Sequence, residues 1–289
     1  MTIGQHIEGT TNLLSTLGLS APRLDAELLL ASCLKKDRTW LYIHSGQELS
    51  PAEAESFGFC VARRQKGEPV AYILGCKEFW SLDFAVDPRV LIPRPDTEVL
   101  VEEVLKVPGI GKISGLKILD LGTGSGAIAV VLAHELPDAR ITATDISPEA
   151  LAVAAGNAEK NRVADRIAFL KGNLFDPVRY CLFDVIVSNP PYIDAGDYAQ
   201  LSVEVKNFEP REALLAGDDG MDFYKVIVPR AACYLKAGGW LLLEIGDRQK
   251  DLIEGLFRQT GLYHDVIFRK DYAERWRVAA ARRKEEKSG

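Results

Sequence analysis

Two short stretches of this 289-residue chain combine residue types that can do chemistry. The first is Asn189-Pro190-Pro191-Tyr192, which closes the apolar run Asp184-Val185-Ile186-Val187-Ser188. Consecutive prolines lack N–H donors, so a strand ending there leaves its sheet locally rigid, with carbonyls exposed. A primary amide or an aromatic amine poses a matching problem: it carries two N–H donors and a lone pair tied up in conjugation. If the Asn189 side-chain oxygen and the Pro190 carbonyl accept those two hydrogens, the nitrogen is held with its lone pair aimed at an electrophile. An amide is far too weak an acid to lose a proton first near neutral pH. Proton loss after attack is expected instead, in keeping with the lack of an obvious catalytic His or Cys. Asn189 and Pro190 are therefore the candidate catalytic residues. With Pro191 and Tyr192 they form the candidate substrate pocket, the Tyr192 ring packing on the planar group for about 1 kcal/mol. Turn formation alone also uses Asn-Pro pairs; the position at the carboxyl end of a core strand, beside a glycine-rich loop, favours the chemical reading.

That loop is the second stretch, Gly122-Thr123-Gly124-Ser125-Gly126, set between the strand-like Lys117-Ile118-Leu119-Asp120-Leu121 and an apolar helix over 127–136. Glycines here permit a tight strand-to-helix turn and close approach of backbone to a ligand. A helix N-terminus favours anions, so a dinucleotide pyrophosphate is one ligand to weigh. The dinucleotide fingerprint would put its third glycine at Ala127, a substitution some such enzymes tolerate. GxGxG preceded by Asp120 is instead similar to the first motif of S-adenosylmethionine enzymes. Asp145 closes the next strand, where a carboxylate can accept both ribose hydroxyls of either cofactor. Asn173 and Leu174 follow the third strand and would flank the adenine. For these three, a plain loop-cap or turn role is the alternative. The candidate cofactor contacts are thus Gly122, Thr123, Gly124, Ser125, Gly126, Asp145, Asn173 and Leu174.

Positioning these groups requires a sheet. From Lys117 onward, apolar strands over 117–121, 140–145, 166–171, 183–188, 240–244, 263–268 and 275–281 alternate with helical stretches. That pattern implies parallel strands with right-handed helical crossovers. The last two strands are linked by too few residues for a crossover and should pair antiparallel. Residues 1–69 read instead as a small helical bundle, with Leu13, Leu14 and Leu17, then Leu24, Leu28 and Leu29, at helical spacing. Its starts are marked by Ser20 before Pro22 and by Ser50-Pro51-Ala52-Glu53, an N-cap, first-turn proline and capping-box glutamate. Residues 70–95 read as a β-hairpin linker, Leu82, Phe84 and Val86 alternating with polar neighbours. The principal domain spans 96–289. The charged tail from Arg282 to Lys287 is expected to be a solvated end.

Bulk properties narrow the function classes. With 47% apolar and 26% charged residues, the chain can bury a full core. No apolar run approaches the roughly 20 residues of a membrane span, and the start lacks the basic-then-apolar pattern of a leader, so a cytoplasmic protein is expected. Five scattered cysteines without a CxxC pair and four scattered histidines suggest no disulfide framework and no protein-bound metal. The formal net charge of -6 disfavours broad capture of a nucleic-acid backbone.

Taken together the residues resemble the HemK/PrmC family, the protein-(glutamine) methyltransferases that modify peptide chain release factors. Beyond GTGSG and NPPY, the likeness covers PVAYILG at 69–75, EFW at 78–80, LIPRPDTE at 91–98, NFEPREAL at 207–214 and DGMDFY at 219–224. It implies a Rossmann-like class I methyltransferase fold: a mostly parallel seven-stranded sheet with an antiparallel C-terminal hairpin. It also implies transfer of a methyl group from S-adenosylmethionine to the side-chain amide nitrogen of Gln in a Gly-Gly-Gln sequence, leaving S-adenosylhomocysteine. Carried over by the resemblance, Asn189 would contact the cofactor along with Gly122 to Gly126 and Asp145; the helical domain would help hold the release factor, Phe208, Glu209 and Pro210 could close over the site, and a monomer is expected. Three alternatives remain at this point: an adenine or guanine amino-group methyltransferase, a dinucleotide-dependent oxidoreductase that leaves NPPY unexplained, and a cofactor-binding scaffold without turnover.

Overall fold

The computed structural model describes residues 1–19 and 21–285. Ser20, read as a helix start, and residues 286–287 of the charged tail lie outside them. The chain divides into two compact units, one of residues 1–76 with 202–208, the other of residues 77–201 with 209–289.

In the first unit, α1 (Ile3–Ser15), α2 (Pro22–Leu34), α3 (Arg38–Ile43), α4 (Pro51–Gln65) and α5 (Val70–Leu74) follow in order. Their starts are chemically specified. Thr2 with Gln5, and Ser50 with Glu53, form reciprocal capping boxes, and Asp37 caps α3. Ile3, Ile7, Leu29, Leu30, Leu41 and Phe57 form the core. Arg64 is buried and pairs with Asp25 at 2.7 Å and with Glu204 at 2.9 Å. One expectation needs correction here: the hairpin linker does not begin at Val70. Pro69 opens a helical turn and Gly75, at φ 71°, closes it in the left-handed region, so Val70–Leu74 is helical. Five residues between such stops are too few to display either periodicity.

Strands β1 (Cys76–Phe79) and β2 (Leu82–Ala85) make the hairpin itself. Its turn residues Trp80 and Ser81 have φ of 54° and 57°, as a tight hairpin turn requires. There follow α6 (Glu98–Leu105), β3 (Lys117–Leu121), α7 (Ala127–Glu135), β4 (Arg140–Asp145), α8 (Pro148–Lys160), β5 (Ile167–Lys171) and β6 (Phe183–Ser188). The chain continues through α9 (Ala195–Ala199), α10 (Val203–Phe208, in the first unit), α11 (Asp222–Ala231), β7 (Leu235–Glu244), α12 (Lys250–Thr260), β8 (Tyr263–Lys270) and β9 (Trp276–Arg283).

The seven-stranded sheet has the order β5-β4-β3-β6-β7-β9-β8. All pairs from β5 to β7 are parallel, and β9 runs antiparallel to both neighbours. Tyr224, Ile227 and Val228 of α11, with Ile253 and Phe257 of α12, pack on Leu241, Leu243, Ala279 and Ala281. Strand β7 starts five residues earlier than its apolar run suggests. Gly238 and Gly239 interrupt that run, yet the sheet needs them: a Cβ on Gly239 would lie 2.9 Å from the Asp184 carbonyl oxygen. The chain steps outward from β3 to β4 and β5, then returns to β6 on the other side of β3. This reversal opens a crevice at the carboxyl ends of β3 and β6, where doubly wound sheets bind ligands.

Candidate active site

The glycine-rich loop leaves β3 at that crevice. Gly122 and Gly124 have φ of 71° and 55°, conformations that L side chains rarely adopt. The backbone N–H groups of Gly122 and Thr123 both donate to the Thr144 carbonyl, at 2.9 and 3.0 Å. Asp145, at the end of β4, accepts from Gly124 N through Oδ2 and from Ser147 N through Oδ1, each at 2.9 Å. A carboxylate offers about four lone-pair positions, so two remain for a ligand. Asn157 of α8 secures the loop from behind. Its Nδ2 donates to the Ser125 carbonyl at 2.9 Å and to the Ala85 carbonyl at 3.0 Å, while Oδ1 accepts from Ala85 N at 2.7 Å.

Beneath the loop lies Asp120, fully buried. Its Oδ2 accepts from the Thr123 hydroxyl at 2.7 Å, and Oδ1 has no hydrogen-bond partner among the described residues. Burial, with the negative charge of Asp145 adding to it, pushes the Asp120 carboxyl up to about 7.

A cavity of about 340 Å³ opens over these groups, within the roughly 300–1,000 Å³ typical of small-molecule sites. Gly122, Gly124, Asp145, Asn173, Leu174, Asn189 and Pro191 line it, so the structure brings together residues from four separate stretches of the sequence-derived site. Thr123, Ser125, Gly126, Pro190 and Tyr192 do not line it. Thr123 and Ser125 are buried supports, and Gly126 packs so tightly on α8 that a Cβ would lie 2.9 Å from Ala154 Cβ. Tyr192 faces a neighbouring recess with Gly246 and Arg277, and its hydroxyl donates to Glu244 Oε1 at 3.3 Å.

Two further walls come from the segments around the LIPRPDTE and NFEPREAL motifs: Arg89, Val90 and Leu91 before α6, and Pro210, Glu212 and Ala213 after α10. Glu209 ties them together. Its buried carboxylate accepts from Ile92 N at 3.1 Å and forms an ion pair with Arg94. Other motif residues prove structural as well. Glu98 accepts from Trp80 N at 2.9 Å, and the Tyr192 and Gly220 carbonyls both accept from Gln249 Nε2, at 2.9 and 3.1 Å.

At the end of β6, Asn189 Nδ2 donates to the Thr97 hydroxyl oxygen at 3.2 Å. Among the described residues no donor reaches Asn189 Oδ1 or the Pro190 carbonyl. Glu244, the buried last residue of β7, stands beside this strand end. Burial pushes its carboxyl up to about 7, against the opposing pull of the Thr97 hydroxyl and the Arg277 guanidinium. Sequence reasoning passed over Glu244; a glutamate closing the apolar run Leu241-Leu242-Leu243 was the available signal.

Comparison with known proteins agrees with this arrangement. The PrmC N-terminal domain matches residues 5–75, and the Methyltransferase small domain matches residues 95–212. Release factor glutamine methyltransferase from Geobacter sulfurreducens is 45% identical over 260 residues, covering 90% of this chain and 89% of that protein. Its counterpart from Moorella thermoacetica is 44% identical, covering 99% of this chain and 100% of that protein. Among solved structures, a methyltransferase from Pyrococcus furiosus superposes with a TM-score of 0.53 at 23% identity, over 78% of this chain and 98% of that one, which shows a shared class I methyltransferase fold. The chain is a methyltransferase and belongs to the release factor glutamine methyltransferase family.

Proposed function

We propose that the protein transfers a methyl group from S-adenosylmethionine to the side-chain amide nitrogen of the glutamine in a Gly-Gly-Gln sequence of a peptide chain release factor. The observation that carries this reading is the pair of unspent acceptors, Asn189 Oδ1 and the Pro190 carbonyl, the first on a residue lining the cavity and the second on the residue between two that do. A primary amide nitrogen has two hydrogens to give them.

The cavity suits the donor. A Cβ at Gly122 or Gly124 would meet no protein atom within 4 Å and would occupy the ligand's space instead. Asp145 keeps lone pairs for a ribose diol, while Ile146 and Leu174 offer apolar walls for a purine. Bound S-adenosylmethionine supplies an electrophilic methyl group on a sulfonium. The residues of this chain orient the amide: Asn189 and Pro190 grip both hydrogens, so the nitrogen lone pair is directed rather than free to rotate. No strong base is required, because the attacked nitrogen becomes acidic once it carries the methyl group. By the same reading residues 1–69 help hold the release factor, and the reaction belongs to the cytoplasm. Among the described residues no helix is long and apolar enough to cross a membrane.

The test is incubation with radiolabelled cofactor and three acceptors: a release factor, its Gln→Ala variant, and an adenine- and guanine-containing oligonucleotide. Label should enter the intact release factor alone. Label in the Gln→Ala variant overturns the assigned nitrogen, and label in the oligonucleotide alone overturns the substrate class.

A further inference from the structure

An asparagine amide is nearly symmetric in shape and opposite in chemistry, one arm accepting and the other donating. Asn189 can receive a substrate N–H only when Oδ1 faces the cavity. Half a turn about its last side-chain bond would present Nδ2 instead, a donor against a donor. Some neighbour must select the arm.

Thr97 is placed to do so. It ends the 3-10 turn Pro95–Thr97, is 5% exposed, and lies outside the set of residues lining the cavity. Its Oγ1 sits 3.2 Å from Asn189 Nδ2. A hydroxyl can donate or accept, so the contact alone would permit either amide orientation. Glu244 biases that choice: its buried Oε2 has no hydrogen-bond partner among the described residues, so it offers the Thr97 proton an acceptor and leaves the lone pairs of Oγ1 for Asn189. The oxygen of Thr97 then matches Nδ2 and repels Oδ1.

Building on the glutamine-methylation reading, we propose that Thr97 is a positioning residue for methyl transfer, its hydroxyl oxygen holding the Asn189 amide in the rotamer that turns Oδ1 toward the substrate. The residue touches neither substrate nor cofactor. Its loss should lower kcat while leaving cofactor affinity unchanged, because only the amide whose orientation it sets takes part in the transfer.

The experiment compares wild type, Thr97→Val and Thr97→Ser. Valine keeps the shape and removes the acceptor; serine keeps the acceptor. With a release factor as substrate, Thr97→Val should lose about tenfold in kcat, the effect of a lost hydrogen bond on a reacting geometry. Its calorimetric Kd for S-adenosylmethionine should stay within twofold, as should the kcat of Thr97→Ser. In an Asn189→Ala background, Thr97→Val should cost nothing further. Unchanged kcat in Thr97→Val, equal losses in the serine and valine variants, or an additional loss in the Asn189→Ala background would each overturn the role. The side-chain amide resonance of Asn189, assigned by its absence from Asn189→Ala, should shift in Thr97→Val and not in Thr97→Ser. That signal reads the contact without any substrate. Absence of methylation by the wild type would therefore count against the assigned reaction, while the resonance still decides the contact.

Discussion

Asn157 offers a quantitative test of how the glycine-rich loop is held. Its three hydrogen bonds, at 2.7, 2.9 and 3.0 Å, join α8 to the hairpin at Ala85 and to the loop at Ser125. The Ser125 contact is buried, so an unpaired carbonyl there costs about 1–3 kcal/mol. The two bonds to Ala85 lie nearer the surface, where water replaces part of each, and contribute about 0.5–1 kcal/mol apiece. Asn157→Ala should therefore destabilise the protein by about 2–5 kcal/mol, read from urea unfolding at constant slope. Asn161, one turn later and half-exposed, donates to the Asp83 carbonyl at 3.3 Å and to the Asn157 carbonyl at 2.9 Å, where water can replace it, and Asn161→Ala should cost no more than about 1 kcal/mol. Similar losses in the two variants, or a loss below about 1 kcal/mol for Asn157→Ala, would refute the claim that this side chain anchors the loop.

Other positions give sharper contrasts still. Gly126→Ala combines a φ of 81° with a 2.9 Å approach to Ala154 Cβ, and should lose about 2–5 kcal/mol by the same assay. Gly156→Ala, exposed on α8 with nothing within 4 Å of the new Cβ, should gain about 0.5–1 kcal/mol. Asp145→Ala should weaken S-adenosylmethionine binding by about 1–3 kcal/mol, and unchanged affinity by calorimetry would reject the ribose assignment. Glu244 titrates at about 7 in the folded state against 4.5 when unfolded, so between those values the folded state carries the extra proton and stability falls as pH rises. The span is worth up to about 3 kcal/mol. Unfolding of wild type and Glu244→Gln at pH 5 and pH 8 should show that slope shrinking in the variant; parallel slopes would show that Glu244 ionises freely.

Local patterns made the sheet readable. Strands β3, β4 and β6 lie where their apolar runs place them, because each run is bounded by residues that stop a strand: Gly122 after Leu121, the turn at Ile146-Ser147, and Pro190 after Asn189. The short link from β8 to β9 made their antiparallel pairing legible too. Missed features depend on partners remote in sequence. Asn157 resembles any helical asparagine until Ala85, 72 residues earlier, folds against it. Glu209 stands in a stretch that the family likeness marks, but its contacts to Ile92 and Arg94, more than a hundred residues away, carry no local signal. Thr97 and Glu244 are likewise ordinary until β6 and β7 are neighbours. Helix α5 escaped for a different reason, since a single turn carries too few residues for a period.

Arg64 sets a clock on synthesis. The helical bundle has nearly all its apolar core once residue 76 is made, but one of the two carboxylates that neutralise the buried guanidinium belongs to Glu204. Until the ribosome has extended the chain that far, Asp25 alone faces the buried guanidinium, and because Glu204 is a third exposed its pair is worth about 1 kcal/mol. The helical unit is therefore completed only by a six-residue helix encoded some 130 codons downstream of Cys76.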